Sequence, residues 1–410
     1  VLSGTTYSNL EINNASGVSL GGGTATVNGT LILTSGLLSA GTGTLNINNG
    51  TAVFLGTIGS APSGTVIYGQ TTNGQVVLAG NYGNLNFSNF NKTLPAGTVG
   101  IAGIFTPGSG TPTVTGNTIF FNGTSAQTIP VFPYNNLTLN NAAGATLAGN
   151  QSVPGVLSLI NGFLATGANT LTVTTTGSLT RTAGNVNGSL RKDFAGPGSF
   201  VFAVGTASGY APVNANVTAG AGNLTVTGIQ GPMPVINGTQ AIQRYWNLTG
   251  SGITTNLVFN YNQTDVLGTE SQYRIHKQFL PSMATVAPAN QCPASPCVDT
   301  TLNTGTINGV SSFSNWTIAV PLAPTAANVA VSGRVLTANG SGLRNAFVTL
   351  TDSSGVTRSA RTSSFGYYRF EEVATGQTYV VGVRSKEYQF TPRTINVANE
   401  LTDVDFIADP

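Results

Sequence analysis

The sequence predicts an all-β protein: an N-terminal β-repeat region, with a β-solenoid favoured over serial β-sandwiches, followed by two β-sandwich domains. Three observations predict it. An octet is written three times, as "YSNLEINN" from Tyr7, "YGNLNFSN" from Tyr82 and "YNNLTLNN" from Tyr134. Short strand-like pieces such as "TLIL" and "TLNI" recur roughly every eight residues between turns that contain Gly or Asn. The chain is 40% hydrophobic yet 7% charged, with 53 glycines. Low charge with little apolar content would mean disorder, but here the apolar residues fall into alternating, strand-sized runs.

In each octet the bulky residues stand two apart: Leu10 and Ile12, Leu85 and Phe87, Leu137 and Leu139. Glu11, Asn86 or Thr138 lies between them, which is the period of a half-buried strand. The Asn-rich tails mark exit turns. The resemblance between copies runs further. "VNGTLILTSGLLSAGTGTLNI" aligns without a gap on "VPGVLSLINGFLATGANTLTV", so Val27, Gly29, Gly36, Leu38 and Leu45 fall on Val153, Gly155, Gly162, Leu164 and Leu171. A looser copy passes from Ile101 through Gly103 and Gly110 to Ile119 and Phe121. The repeat region, residues 1–180, therefore holds three related units at about 7–48, 82–122 and 134–174. Gln75 and Gln127 precede their tyrosines by the same offset. Applied to the first copy, that offset falls just before Val1, so Val1 and Leu2 are expected to be the tail of a strand in a repeat already under way.

Residues 185–321 form the next expected module. "SLRKDFAGPGSFVFAVG" and "RYWNLTGSGITTNLVFNYN" alternate like strands and "SSFSNWTIAV" closes the segment. Trp246 and Trp316, the two tryptophans of the chain, are expected to anchor a sandwich core rather than stack on a sugar. A Pro- and Ala-rich stretch, residues 322–330, reads as a linker.

The last module spans residues 331–410. Its residues are Val331, Gly333 and Val335, then Gly342, Ala346, Val348 and Leu350, then "FGYYRFEEV" and "GQTYVVGV". Gly366 suits a tight turn before "YYRF", with Tyr368 and Phe370 pointing inward. This pattern resembles the carboxypeptidase regulatory-like domain, a transthyretin-type β-sandwich. The resemblance implies a non-catalytic spacer or interaction module and says more about architecture than activity. The repeat region resembles the β-strand-repeat surface proteins and β-helical passenger regions of bacterial adhesins, which implies export to a cell surface.

Charge is distributed unevenly. Up to residue 180 the charged side chains are Glu11 and Lys92, whereas residues 331–410 carry eight basic and eight acidic ones. A formal net charge of +2 with scattered basic residues argues against nucleic acid or an anionic membrane as partner. No apolar run approaches the roughly 20 residues a membrane helix needs, so membrane insertion is not expected. The absence of an initiator Met suggests processing, and the expected location is secreted, extracellular or cell-surface. Cys292 and Cys297, the two cysteines, are close enough in sequence to close a small disulfide loop, which fits an oxidising compartment.

Catalytic chemistry is not legible. His276 is the single histidine and no nucleophile elbow accompanies it, so neither a triad nor a metal site is expected. Glu371 and Glu372 are adjacent and should face opposite sides of a strand. Asp403 and Asp405 should share a face, more suited to a solvated, aggregation-resistant edge than to calcium. Glycine-rich "SLGGGTATVNG" lacks the Lys and helix of a phosphate loop. An intramolecular isopeptide bond would need a buried lysine beside Asn or Asp, with Lys92, Lys192 and Lys277 as candidates. The plainer reading is exposed lysines whose stems cover a sheet. Sequons at Asn28, Asn122, Asn136, Asn187, Asn247 and Asn315 make glycosylation an option.

The expected function is non-enzymatic and without cofactor: a structural subunit of an extracellular bacterial fibre or appendage. Copies of the chain would join head to tail by β-strand exchange. Candidate joining residues are Val1, Leu2, Leu10 and Ile12 at one end, and Val404 and Phe406 at the other. The alternatives are a monomeric adhesin or carbohydrate-binding stalk that uses exposed aromatics such as Tyr367 or Tyr388 on glycans, or the accessory part of a larger secreted enzyme.

Overall fold

The computed structural model describes residues 1–280, 283–293, 297–321, 328–352 and 354–409. Strands account for 56% of the chain and helix for 3%. The chain divides into two compact units, Val1–Pro321 and Leu322–Pro410. Residues 322–327 of the expected linker lie outside the described residues, and its last two belong to the strand Val329–Leu336.

The first unit begins as a stack of short parallel strands that makes a β-solenoid of about 10 turns. The pairing register gives the turn length directly: Leu10 pairs with Leu31, Leu31 with Thr51, Ile119 with Leu137, Leu137 with Leu157, and Leu157 with Leu179. One coil thus takes about 20 residues and carries three strands, for example Asn136–Asn140, Ala145–Leu147 and Gln151–Val153. Inward positions one coil apart lie on one another. Val27, Ile47, Tyr68 and Phe87 form one such buried column, and Ile101, Phe121, Leu139 and Leu159 another. Each such side chain contributes roughly 1.5–3 kcal/mol by leaving water.

Each of the three related units, 7–48, 82–122 and 134–174, spans two coils. The octet takes different places in the coil. Leu10–Asn13 and Asn136–Asn140 lie in one sheet, whereas Asn84–Phe87 lies in another, between Thr65–Tyr68 and Phe105–Thr106. What is written three times is a coil corner with the strand that leaves it.

The solenoid passes into the antiparallel region without a break in the sheet. Asn185–Phe194 pairs parallel with Phe163–Val173 on one side and antiparallel with Val213–Gln230 on the other. A single buried cluster runs from Ile12 to Ile318. Val213–Gln230 and Arg244–Asn260 form one long hairpin that bends near Gly220 and Gly252. The hairpin half at Val213–Val217 takes Gly198–Phe202 as a neighbour and the other half takes Asn185–Phe194, so both strands serve two layers. Between the layers Phe259 contacts both tryptophans, with ring centroids 5.1 Å from Trp246 and 5.7 Å from Trp316. Both indoles are buried, so the core reading of the tryptophans holds.

The second unit is a β-sandwich. A three-stranded sheet orders Tyr367–Val373, Val329–Leu336 and Phe406–Ile407. A four-stranded sheet orders Thr357–Arg361, Phe347–Thr351, Gln377–Arg384 and Arg393–Val397. Its core holds Val331, Val335, Val348, Leu350, Tyr368 and Phe370. Glu371 and Glu372 do not face opposite sides. Glu372 adopts φ 54° at a register shift between Val329 and Val331, and both carboxylates are exposed.

Candidate functional site: the coil corners and the open first coil

The octet acquires a physical role at the corners. Its third residue is Asn in all three copies, and the side-chain carbonyl accepts a backbone N–H from the following coil. Asn9 takes Thr30 N–H at 2.7 Å, Asn84 takes Ile104 N–H at 2.8 Å and Asn136 takes Val156 N–H at 2.8 Å. The residue just before each donor is Gly29, Gly103 or Gly155. A Cβ there would come within 2.3, 2.4 or 2.2 Å of the same Asn Oδ1. Asn and Gly, about 20 residues apart, are therefore one device. The last octet residue does a second job in the outer copies. Asn14 and Asn141 accept the N–H of Ser16 and Ala143 on their Oδ1, and their main-chain carbonyls accept from Gly17 and Gly144. Gly36 and Gly162, both near φ 79°, pass over those carbonyls so closely that a Cβ would lie 1.8 Å away.

The glutamines and tyrosines are buried ties between coils. Gln75 Nε2 donates to the carbonyls of Ile47 and Asn49, and Gln127 Nε2 to those of Ile101 and Gly103. Each buried amide thus satisfies its own N–H groups on two carbonyls of an earlier coil, of which Ile47 O and Ile101 O also accept the N–H of Gly69 and Asn122. Tyr82 and Tyr134 donate their hydroxyls to the carbonyls four residues back, Leu78 and Pro130. Burial holds both phenols well above their usual range.

Tyr7 departs from this, because its hydroxyl accepts from Leu2 N–H at 2.9 Å. Val1 and Leu2 are irregular rather than the tail of a strand. The strands Thr6–Tyr7 and Leu10–Asn13 each pair on one side, with Thr24–Val27 and Leu31–Ser39. Leu10 N–H is directed at Thr30 O, so by alternation the Glu11 N–H points away from the second coil. Ile12 is buried, Leu10 partly so, and Leu2 is 71% exposed. The Glu11 carboxylate accepts from Thr34 Oγ1 at 2.7 Å.

The other candidate joining residues lie elsewhere. Val404 and Phe406 are buried in their own sandwich, with Phe406 paired to Val335 and the Val404 carbonyl accepting from Tyr368. They are not a free strand. Asp403 is exposed while Asp405 accepts from Arg334 N–H at 2.6 Å.

Cys292 and Cys297 form the expected disulfide, with Cα atoms 4.9 Å apart. The lysines differ from the expectation of exposure. Lys92 and Lys192 are buried. Lys192 donates to the carbonyls of Thr174 and Gly177, both at 2.6 Å, and so seals the corner of the last coil. Lys92 donates to Ser88 Oγ at 2.7 Å, and desolvation pulls its pKa down to about 8. Lys277 donates to the carbonyl and hydroxyl of Ser312. Among the described residues these donors end on carbonyls and hydroxyls, and none is hydrogen-bonded to an Asn or Asp side chain. His276 is buried with a ring nitrogen 3.3 Å from Ala319 O, and burial lowers its pKa to about 4.

A buried ion pair went unread in the sequence. Arg244, fully buried, donates to Asp265 at 2.9 Å, to Gly209 O and to Ser208 Oγ. No motif surrounds Arg244 in "QRYWNL", and its partner lies in a short 3-10 turn, Gln263–Asp265, so nothing local signals it. Among the described residues no group of three or more His, Cys, Asp or Glu is placed to hold a metal ion. No helix among them is long and apolar enough to cross a membrane.

No curated protein and no solved structure matches this chain, so the likeness of the repeat region to adhesin passengers rests on its sequence pattern alone. Residues 330–407, the strands of the second sandwich, match the carboxypeptidase regulatory-like domain family.

Proposed function

We propose that the protein is a structural subunit of an extracellular surface appendage, in which the solenoid supplies length and stiffness and copies join through the strand edge of the first coil. The observation that carries the reading is the coil stack itself. Its interior is continuous, its corners are tied by main-chain and amide hydrogen bonds, and buried Gln75, Gln127 and Lys192 end on backbone carbonyls of earlier coils. Stacked units of this kind bury a core through neighbour contacts and give an elongated, nearly uncharged body. The strand Leu10–Asn13 turns the Glu11 N–H away from Leu31–Ser39, and outward main-chain groups of this kind can pair with a strand of a neighbouring copy. The notion of donation by Val404 and Phe406 draws no support, because both are in use within their own sandwich. The first coil is therefore read as an acceptor of a neighbour's edge, in a contact that does not close on itself.

Glu11→Pro tests this without opening a new coil edge, as a deletion of residues 1–14 would. The substitution removes an outward N–H and leaves the inward ladder, and edge strands tolerate proline. Negative-stain microscopy of the native chain is expected to show filaments that lengthen with concentration, and the variant discrete rods. A native chain that stays a discrete rod at every concentration, or a variant that polymerises equally well, overturns the reading.

A further inference from the structure

The C-terminal unit has a cationic face that its fold does not use. On the four-stranded sheet Val348, Leu350 and Val381 point into the core, so by alternation Phe347, Arg361 and Arg384 point out. The register sets these three on one rung, with Phe347 opposite Arg361 on one side and Arg384 on the other. The Arg361 guanidinium stacks on the Phe347 ring at 4.4 Å, and the ring remains 43% exposed. Stacking occupies the flat face of the guanidinium and leaves its in-plane N–H groups free. Beside the rung is a shallow groove of about 650 Å³ whose wall includes Arg344, Asn345, Lys386 and Glu387. The loop that carries Arg344 is held rigidly: buried Thr362 donates to Leu343 O at 2.6 Å and accepts from Ala346 N–H at 2.9 Å.

Arg344, Arg361, Arg384 and Lys386 have no ion pair among the described residues, while four acids of the unit are engaged elsewhere. Glu371 and Glu400 pair with Arg369, Asp405 caps Arg334 N–H, and Asp352 closes its own turn with Ser354. Glu387 is the one acid in the groove. Four unpaired cations around a half-exposed ring, set against one carboxylate, call for a ligand with several anionic groups.

We propose that this face binds an anionic polysaccharide bearing carboxylate or sulfate groups. Arg361 and Arg384 stand two strand spacings apart, roughly 10 Å, and each presents a fork for a planar or tetrahedral anion. Phe347 between them offers an apolar surface to a sugar ring. A peptide would gain less here. Phe347–Thr351 is an inner strand, with Thr357–Arg361 and Gln377–Arg384 on either side, so the main chain that carries the ring is not open to strand addition, and a peptide added at the sheet edge along Thr357–Arg361 would lie beside the ring rather than over it. The loop is preorganised, which lowers the ordering cost of binding.

The test measures binding of the full chain to immobilised polygalacturonate and dextran sulfate, with neutral dextran, polyglutamate and duplex DNA as comparisons. Binding to one or both anionic polysaccharides is expected, weakening with salt, and falling at least tenfold in R361Q/R384Q. R191Q/R274Q removes the same charge from the other unit and is expected to bind as the native chain does. Should R361Q/R384Q fail to fold, R344Q/K386Q gives the same reading from the groove side. No binding to either polysaccharide, equal binding by the variants, or tighter binding to polyglutamate or DNA overturns the proposal. Filament formation by R361Q/R384Q is expected to be unchanged, so this proposal and the assembly reading fail separately.

Discussion

At the residue scale the solenoid rests on pairs of small decisions, of which the Asn and Gly of each corner are the clearest. Asn136 reaches across to Val156 N–H, and Gly155 leaves room for it. Gly155→Ala brings a Cβ to within 2.2 Å of Asn136 Oδ1 and 2.7 Å of Asn135 O. The amide can swing away but the backbone carbonyl cannot, so a cost of about 1–3 kcal/mol is expected. Asn136→Ala removes one hydrogen bond and should cost about 1 kcal/mol. Urea unfolding of both variants checks the order; an alanine at 155 tolerated better than one at 136 would contradict the geometry. His276 makes a second residue-scale prediction. Its folded pKa, about 4, lies below the usual 6.5 because burial penalises the imidazolium. The unfolded chain therefore binds the extra proton between those values, and stability is complete above pH 6.5 and lost as pH falls toward 4. The loss is on the order of 3 kcal/mol. His276→Gln should flatten that part of the stability profile, measured by thermal melts from pH 7 to pH 4.5, relative to the native chain.

At the scale of elements the sequence was legible where the physics is local and illegible where it is not. Alternation in "NLEI" and "NLTL" follows from one strand having one buried face, so each strand could be read alone. The Asn-rich exits were readable as turns because Asx turns close within two residues, as Asn14 does with Ser16. The coil length was not readable. Residues stacked one coil apart, such as Val27, Ile47, Tyr68 and Phe87, share burial and not identity, since any apolar side chain of suitable volume fills a column. The octet is conspicuous because corners need particular residues, and it does not reveal the coil length because corners of one chemistry serve different sheets. The burial of Lys192 is hidden for a related reason: its partners are the backbone carbonyls of Thr174 and Gly177 in the preceding coil, which leave no trace in the side-chain sequence, and Lys92 rests on a nearby hydroxyl, Ser88, that no motif marks. The positive φ at Glu372 reflects a register shift set by the partner strand, again outside local reach. Of the candidate joining residues, Leu10 and Ile12 lie on a strand as their alternation predicts, whereas Val404 and Phe406 read as an extended end because a two-residue strand carries too little pattern to show its pairing.

At the scale of the molecule the question is how many cooperative bodies the chain contains. Sequence composition divides it into three modules, and the contacts divide it into two. The difference lies at the end of the solenoid, where the last coil is covered by the sandwich that follows. Arg181 stacks on Tyr210 at 3.5 Å, Lys192 seals the turn at Thr174 and Gly177, and Leu171 and Val173 are covered in register by Leu190 and Lys192. Separating the two would expose these groups, so solenoid and first sandwich should unfold together, whereas the second unit carries its own core. Calorimetry is therefore expected to resolve two transitions. Leu137→Ala in the solenoid and Leu248→Ala in the first sandwich each delete a fully buried side chain, at about 2–5 kcal/mol. Both should lower the same transition and leave the other in place, and residues 328–410 expressed alone should reproduce the one left in place. If the two substitutions move different transitions, the coil stack melts by itself as repeat arrays can. The covering of its last coil would then be too weak to make the stalk and the domain it carries a single body.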